Sequence, residues 1–260
     1  MNKNQQMLAE GSYCRLALKL CLPSIVIMLV TVVYNMADTF FIGQTGDANQ
    51  VAAISLCAPL FSLLSGLGTL FGNGGCTAIS LALGEDNSGK TKAISSFCFL
   101  GSLVVSFLFT AVVLGFLEPI CFELGADVDT IADTCRYLRI IALGAPFVLF
   151  NTVFASVIRA DGSAVSSMIC NAVGTISNIL LDALFILVFS WGVQGAAVAT
   201  VIGNFISCVY LVIHIYRKQP ALSFTLKAWK LDVAFSVLPL GIPMACSTLL
   251  LSFLTFSPIV

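Results

Sequence analysis

Two aspartates, Asp38 and Asp182, each lie inside a long apolar run of the sequence. A carboxylate near the middle of a bilayer costs roughly 2.5–3.5 kcal/mol on insertion scales, so such a residue usually faces a cavity, a partner or a cation. No basic residue is expected at a matching depth, because Arg136 and Arg139 lie near the end of their own apolar run. The two carboxylates therefore indicate a site that binds a cation or exchanges a proton.

Polar side chains accompany each aspartate at spacings of three and four residues. This spacing places them on one face of a helix. Such faces predict an enclosed, hydrated interior, although hydroxyl and amide groups also hold membrane helices together at about 0.6 kcal/mol per bond. The faces are Thr31, Asn35 and Asp38; Ser62, Ser65, Thr69 and Asn73; Asn171, Thr175, Asn178 and Asp182; and Thr200, Asn204 and Ser207.

Two ions fit this combination of groups. Carboxylate, carboxamide and hydroxyl oxygens are the ligands that a hard cation such as Na⁺ prefers. A proton is the alternative, because burial disfavours the charged form of a carboxyl group. Either ion could be coupled to the movement of another compound, and the residues alone leave the choice open.

The composition identifies the environment of these residues. Of the 260 residues, 58% are hydrophobic and 10% are charged, whereas soluble domains carry about 25% charged residues. An all-α integral membrane protein is expected, with the lipid bilayer as its surroundings. The sequence contains no basic patch with interleaved aromatic residues, so nucleic acid is not expected as a partner. We find no nucleophile constellation, phosphate-binding glycine loop or metal-ligand histidine pair, so we expect no enzyme and no cofactor beyond the coupling ion. Ten scattered cysteines suggest neither a disulfide framework nor a metal site.

Apolar runs of about 20 residues are long enough to cross a bilayer. The second predicted span is rich in glycine, so we expect it to end in a bend or to pack closely on a neighbour. Six spans are complete, and the seventh reaches the end of the sequence without a flanking polar segment. The predicted spans are 18–43, 51–83, 93–117, 135–158, 166–190, 193–215 and 234–260.

The distribution of Lys and Arg predicts the orientation. Ten of the twelve basic residues flank the spans on one side, and that side should be the cytoplasm. A multi-pass protein of the cell membrane with a cytoplasmic N-terminus is therefore expected. In this orientation Asp38 and Asp182 both lie in the outer half of the membrane at comparable depth, so they can share one site.

A short repeat predicts how the chain is divided. Leu22-Pro23 opens the first span after basic residues, and Ile242-Pro243 occupies a similar place in the seventh. The two copies share an orientation, which is typical of a parallel duplication in a secondary transporter. We predict a six-helix lobe over residues 1–218, a cytoplasmic inter-lobe loop over 219–233, and the first helix of a truncated second lobe over 234–260.

A set of short motifs occurs in order along the chain. They are Pro23 followed by Asp38-Thr39-Phe40-Phe41-Ile42-Gly43, then Ala52-Ala53, Pro59 and Ile158-Arg159-Ala160-Asp161-Gly162, then Asn178 four residues before Asp182, and Gly195-Ala196-Ala197 before Ala199-Thr200. In their order and spacing these motifs resemble those of the multidrug and toxic compound extrusion (MATE) transporters. The resemblance covers the whole chain but only the first half of a typical member, since these transporters have two six-helix lobes around a central cavity.

This resemblance implies export of small, cationic or amphipathic organic compounds by alternating access, driven by Na⁺ or H⁺. It assigns the cation site of the first lobe to Asp38, Asn178, Asp182 and Thr200. We expect Asn35, Asn151, Asn171, Thr175 and Asn204 to line the cavity. Because the second lobe is absent, transport should require that lobe or another copy of the chain.

Three alternatives remain. A lipid-linked oligosaccharide flippase of similar fold would line its cavity with basic residues, and these spans contain almost none. An intramembrane aspartyl protease would need Tyr-Asp and Gly-x-Gly-Asp, where this chain has Ala37-Asp38 and Leu181-Asp182. The third alternative is an inactive fragment.

Overall fold

The computed structural model describes residues 13–218 and 231–256, and in these ranges the chain forms helices joined by short turns, without a β-strand. The sixth helix continues as a π-helical turn over Ala183–Val188, and a 3₁₀ turn over Leu231–Val233 precedes the last helix. The helices are α1 (Tyr13–Gly43), α2 (Ala48–Gly84), α3 (Ser88–Gly115), α4 (Leu117–Glu123), α5 (Ile131–Ala160), α6 (Ala164–Asp182), α7 (Gly192–Lys218) and α8 (Ala234–Phe256).

Six of the described helices are long and apolar enough to cross a membrane, namely α2, α3, α5, α6 with its π-helical turn, α7 and α8. Helix α1 is 31 residues long and contributes a shorter apolar segment, Met28–Gly43. The all-α membrane fold predicted from the sequence is therefore confirmed. The predicted inter-lobe loop lies largely outside the described residues, as does the side chain of Asn35.

Helix α2 runs without interruption for 37 residues through this glycine-rich span. Close packing is what the structure shows. A Cβ atom on Gly68 would lie 2.9 Å from the Thr152 side chain of α5, and one on Gly72 would lie 3.2 Å from the Thr152 carbonyl oxygen. Glycines thus let the backbones of α2 and α5 approach, which is how helices commonly associate in membranes.

Helix α8 packs against the same glycine-rich helix. A Cβ atom on Gly241 would overlap the backbone carbonyl of Leu70, and one on Gly74 would overlap the carbonyl oxygen of Val237. Both obstacles are backbone atoms, which cannot rotate away. The contact between α2 and α8 therefore depends on the absence of side chains at these two positions.

Proline interrupts the hydrogen bonding of α5, and a neighbouring helix compensates. Pro146 has no N–H, so it cannot donate to the carbonyl of Ala142 one turn earlier. The Thr110 hydroxyl of α3 donates to that carbonyl over 2.6 Å. An unpaired carbonyl in the membrane is thereby avoided, and α3 is tied to α5 at this level.

Two local features differ from the predicted spans. The third span was expected to reach residue 117, but α3 ends at Gly115 and the short helix α4 follows. The fifth span was expected to be one helix over 166–190, but its regular part ends at Asp182 and the π-helical turn begins with Ala183. Single π-turns within helices are frequent at functional sites, and this one begins immediately after the buried carboxylate.

Candidate functional site

The candidate site lies where α6 crosses α7. A Cβ atom on Gly203 would lie 2.9 Å from the carbonyl oxygen of Gly174, so the two helices touch backbone to backbone. Beside this crossing three polar side chains are buried, namely Asn178, Asp182 and Thr200. Asp182 is 0% exposed. A fully buried acid in an apolar bundle needs a specific partner to remain charged.

Asn178 connects the acid to the neighbouring helix. In the orientation that satisfies both ends of its amide, the nitrogen donates to Asp182 Oδ2 over 3.0 Å. The amide oxygen then accepts from the backbone N–H of Thr200, also over 3.0 Å. In the reverse orientation the nitrogen faces the Thr200 hydroxyl at 3.4 Å. That reverse orientation would also set the amide oxygen against Asp182 Oδ2 and the amide nitrogen against the backbone N–H of Thr200, so the first orientation is the one that the surroundings satisfy.

Each of the two aspartates predicted for the site has one carboxylate oxygen that lacks a hydrogen-bonding partner among the described residues. Asp38 Oδ1 and Asp182 Oδ1 are buried atoms without a hydrogen bond among the described residues. The two carboxylates are close enough to interact electrostatically. The salt bridges in the described part of the chain, Lys90–Glu85 and Arg136–Asp133, lie elsewhere and are partly exposed. Among the described side chains, no Lys or Arg therefore forms a salt bridge with Asp38 or Asp182.

Two tyrosines near this pair were not predicted from the sequence. The Tyr34 side chain contacts that of Thr200 and lies close to both Asp38 and Asp182. Tyr137 of α5 also lies close to the two carboxylates and is buried. Tyr34 precedes Asp38 by four residues, so the helical spacing that identified Asn35 could equally have identified Tyr34.

A polar cavity of about 240 Å³ adjoins the site on the other side of Asn178. Asp38 and Asp182 are not among its lining residues, so the carboxylates lie behind the wall rather than in it. The described residues that line it include no Lys or Arg, unlike the basic cavity expected of a flippase for pyrophosphate-linked sugars. The lining residues are Thr31, Tyr34, Phe61, Ser65, Val148, Asn151, Thr152, Asn171, Gly174, Thr175, Asn178, Thr200, Gly203, Asn204 and Ser207.

A hydrogen-bonded network links the far wall of this cavity to the site. Asn151 of α5 donates to Asn204 of α7 over 3.0 Å, and Asn204 donates to the carbonyl oxygen of Thr200 over 2.9 Å. The backbone N–H of Thr200 donates to Asn178, which in turn donates to Asp182. Helices α5, α6 and α7 are therefore joined by one series of polar contacts that ends at the carboxylate.

The structure brings most of the predicted residues together. Four of the residues expected to line the cavity do line it, namely Asn151, Asn171, Thr175 and Asn204. Span two contributes only Ser65 from its polar face, since the Thr69 hydroxyl donates to the Gly66 carbonyl of its own helix. The polar face predicted along α2 is therefore only partly directed at the cavity.

The donor set suits a monovalent cation better than a transition metal. Among the described residues, no group of three or more His, Cys, Asp or Glu side chains could hold a metal ion. The oxygens available here are those of two carboxylates, one amide and one hydroxyl, which are the ligands of hard cations. A proton on one carboxyl would satisfy the same unpaired oxygens. These groups are therefore of the chemical kind that Na⁺ or a proton would require.

Comparison with known sequences gives consistent matches. The sequence profile of the family described as MatE matches residues 23–184. The multidrug export protein MepA of Staphylococcus saprophyticus is 36% identical over 204 residues, which are 78% of this chain and 45% of that protein. MepA of Staphylococcus aureus strain NCTC 8325 is 34% identical over 234 residues, 89% of this chain and 52% of that protein. The chain spans about half the length of these curated relatives.

Solved structures show the same fold. A crystal structure of MATE in complex with MaL6 superposes with a TM-score of 0.91 at 24% identity, covering 97% of this chain and 56% of the other. The inward-facing conformation of a multidrug resistance MATE family transporter of the MOP superfamily gives a TM-score of 0.80, also at 24% identity, covering 88% and 54%. At this level of identity the likeness concerns the arrangement of helices.

Proposed function

The chain belongs to the MatE family of membrane transporters, and from this premise we propose that it forms one lobe of a cation-coupled multidrug exporter. The proposed coupling ion is Na⁺ or H⁺, bound by Asp38, Asn178, Asp182 and Thr200. The exported compounds are proposed to be small, cationic or amphipathic organic molecules. The observation that carries this proposal is the pair of buried carboxylate oxygens without a partner, Asp38 Oδ1 and Asp182 Oδ1.

The amide of Asn178 supports the proposal, because its preferred orientation depends on what lies beside Asp182. With its nitrogen 3.0 Å from Asp182 Oδ2, the amide satisfies a bare carboxylate. If a cation or a proton were bound there, the reverse orientation would place the amide oxygen toward it. Two oxygens at such a separation repel unless a positive charge or a proton lies between them. We propose that Asn178 turns over when the ion binds.

This reorientation would link ion binding to the hydrogen-bonding groups that line the cavity. In the reversed orientation the amide nitrogen would replace the oxygen beside the backbone N–H of Thr200, which opposes two donors, and its acceptor would be the Thr200 hydroxyl at 3.4 Å. Thr200 and Asn178 both line the cavity, so ion binding would change the hydrogen-bonding groups that the cavity presents. Coupling requires that the ion and the exported compound favour different states of the same element.

The second wall of the transport pathway must come from outside this chain. The chain spans about half the length of its curated relatives, and α1 leaves large apolar side chains exposed, among them Met28, Val32 and Met36. We propose that a second lobe, or another copy of this chain, completes the pathway. We further propose a location in the cell membrane with the N-terminus in the cytoplasm, as the distribution of Lys and Arg favours.

The test is efflux of a cationic dye. The protein containing this chain is expressed in cells lacking their own exporters, and the loss of ethidium fluorescence is followed after energisation. Asp182→Asn should reduce the initial efflux rate at least tenfold, because it removes a charge on which coupling depends. Asp129→Asn, an exposed loop substitution, is the matched control and should leave the rate unchanged. Equal efflux by both variants at equal expression would contradict the proposal.

A further inference from the structure

A pair of cysteines at one end of the bundle is not used by the proposed transport site. Cys121 belongs to the short helix α4 and Cys135 to the second turn of α5. Their sulfur atoms lie 3.2 Å apart, closer than the ordinary contact distance of two thiols. From this contact we infer that Cys121 and Cys135 form a disulfide under oxidising conditions and so tie α4 to α5.

The backbone between the two cysteines forms hydrogen-bonded turns that keep the two side chains close together. The N–H of Ala126 donates to the Cys121 carbonyl over 3.1 Å, and Gly125 adopts the positive φ of 93° that this turn requires. Further along, the Thr130 hydroxyl donates to Asp127 Oδ1 over 2.8 Å. Hydrogen bonds from Thr130 lower the pKa of the Asp127 carboxyl, so this turn persists at neutral pH.

The geometry requires only a small approach of the two sulfurs. A disulfide joins sulfur atoms about 2.05 Å apart, so they must move together by roughly 1 Å. Nearby Cys57 is the competing thiol, but it donates to the Thr134 carbonyl at 3.8 Å and is buried. Cys121 is also buried, whereas Cys135 is half-buried. Cys135 is therefore the thiol that an external reagent reaches first.

The reaction is a thiol–disulfide exchange with a small-molecule disulfide as the oxidant. The Cys135 thiolate attacks one sulfur of the oxidant, giving a mixed disulfide and releasing one reduced thiol. The Cys121 thiolate then attacks the Cys135 sulfur and releases the second. Two protein thiols are oxidised, the oxidant is reduced to two thiols, and no other reactant is needed. In the orientation proposed above, the pair faces the outside of the cell, where disulfides persist.

The consequence is a firmer attachment of the first turns of α5. Tyr137, two residues after Cys135, lies close to both carboxylates of the candidate site. A covalent link at Cys135 closes a loop of about 15 residues, a size for which disulfides stabilise substantially. The oxidised protein should therefore unfold at a temperature higher by about 5 °C than the reduced one.

The experiment uses the full chain purified in detergent. It is incubated with either oxidised glutathione or dithiothreitol, alkylated with N-ethylmaleimide without further reduction, and digested for mass spectrometry. A peptide pair cross-linked through Cys121 and Cys135 is expected only after oxidised glutathione. Melting of the same samples should show the higher transition, and Cys135→Ser should abolish the difference, while Cys246→Ser, which removes an exposed cysteine, should retain it.

Two results would overturn the inference. One is full alkylation of Cys121 and Cys135 after oxidised glutathione, and the other is a cross-link from Cys135 to Cys57 in place of Cys121. The cross-linked peptide is read from the unsubstituted protein, so the conclusion does not depend on whether a cysteine variant folds. Because the assay measures no transport, it can fail while the proposed function stands, and the reverse also holds.

Discussion

Two helix crossings use the same packing device but differ in what lies beside the contact. At the crossing of α2 and α8, Gly74 and Gly241 face backbone carbonyl groups of the opposite helix. At the crossing of α6 and α7, Gly174 faces the Ser207 side chain, and Gly203 faces Gly174 and Asn178. At these two positions of the first crossing, backbone lies directly against backbone. The second leaves room for a polar cavity and for a buried acid with an unpaired oxygen.

The two crossings show where a membrane helix bundle has room for a binding site. Close backbone contact without polar side chains holds two helices together but provides no ligand for an ion. A crossing that also carries amide, hydroxyl and carboxylate groups offers oxygen ligands, and there the Asn178 amide joins Asp182 to the backbone of Thr200. We therefore expect substitutions at the first crossing to change stability only, and those at the second to change stability together with the response to ions.

The largest effect should come from breaking the α2–α8 crossing. Gly241→Ala places a Cβ atom on the Leu70 carbonyl, which cannot move without shifting the helix, so we expect a loss of about 3 kcal/mol or more in unfolding free energy. Gly84→Ala at the end of α2 is the matched control, since nothing lies within 4 Å of its Cβ position. Denaturant unfolding of the purified chain measures both. A loss below about 1 kcal/mol in Gly241→Ala would show that the crossing is looser than described.

At the α6–α7 crossing we expect a smaller loss of stability, which a second substitution should partly restore. Gly174→Ala meets the Ser207 hydroxyl, which is the end of a side chain, and should cost about 2 kcal/mol of unfolding free energy. Adding Ser207→Ala removes the nearest obstacle, leaves the Gly203 carbonyl oxygen 3.2 Å from the new Cβ atom, and should restore part of that loss, although it also removes the hydroxyl's bond to the Cys170 carbonyl. The same unfolding assay tests the pair. If the double variant were as unstable as the sum of the two single variants, the side-chain obstacle would not be the cause.

The smallest effect should be found in the polar network. Asn204→Ala removes its bonds to Asn151 and to the Thr200 carbonyl, and about 1 kcal/mol of unfolding free energy should be lost. Thr69→Val is the matched control, because its hydroxyl serves only a carbonyl of its own helix. Equal losses in the two variants would show that the interhelical network adds nothing.

Much of this arrangement follows from the pattern of residues. Hydropathy is enough to find the spans because each must be apolar over the thickness of a bilayer. Helical spacing is enough to align Asn171, Thr175, Asn178 and Asp182, because neighbours three and four apart share a face whatever the surroundings. The cavity residues that were expected on α5, α6 and α7 do line one cavity.

The remaining features depend on contacts between distant segments. The π-helical turn after Asp182 accompanies close contact between Phe185 and Gly195, where a Cβ atom would lie 3.0 Å from the Phe185 side chain. Neither residue reveals this by its type. The short helix α4 brings Cys121 against Cys135, which are 14 positions apart, and spacing alone gives no reason to pair them. The packing of α8 on α2 likewise depends on which glycines face each other.

The most direct test of the account is the ion dependence of stability in the purified chain. Melting is followed while NaCl replaces choline chloride at constant ionic strength and pH, and again across a pH series without sodium. An ion that binds only the folded state at 100 times its dissociation constant adds about 2.7 kcal/mol. We predict that sodium raises the stability, or that the two carboxyls contribute to its pH dependence, and that Asp38→Asn and Asp182→Asn each abolish the sodium response or reduce the pH dependence. Part of the pH dependence should remain in both variants, because the pKa of Asp127 is lowered by hydrogen bonds from Thr130 and not by the site. A sodium response that survives in both variants, or an unsubstituted chain that ignores sodium and has the pH dependence of the variants, would contradict this prediction.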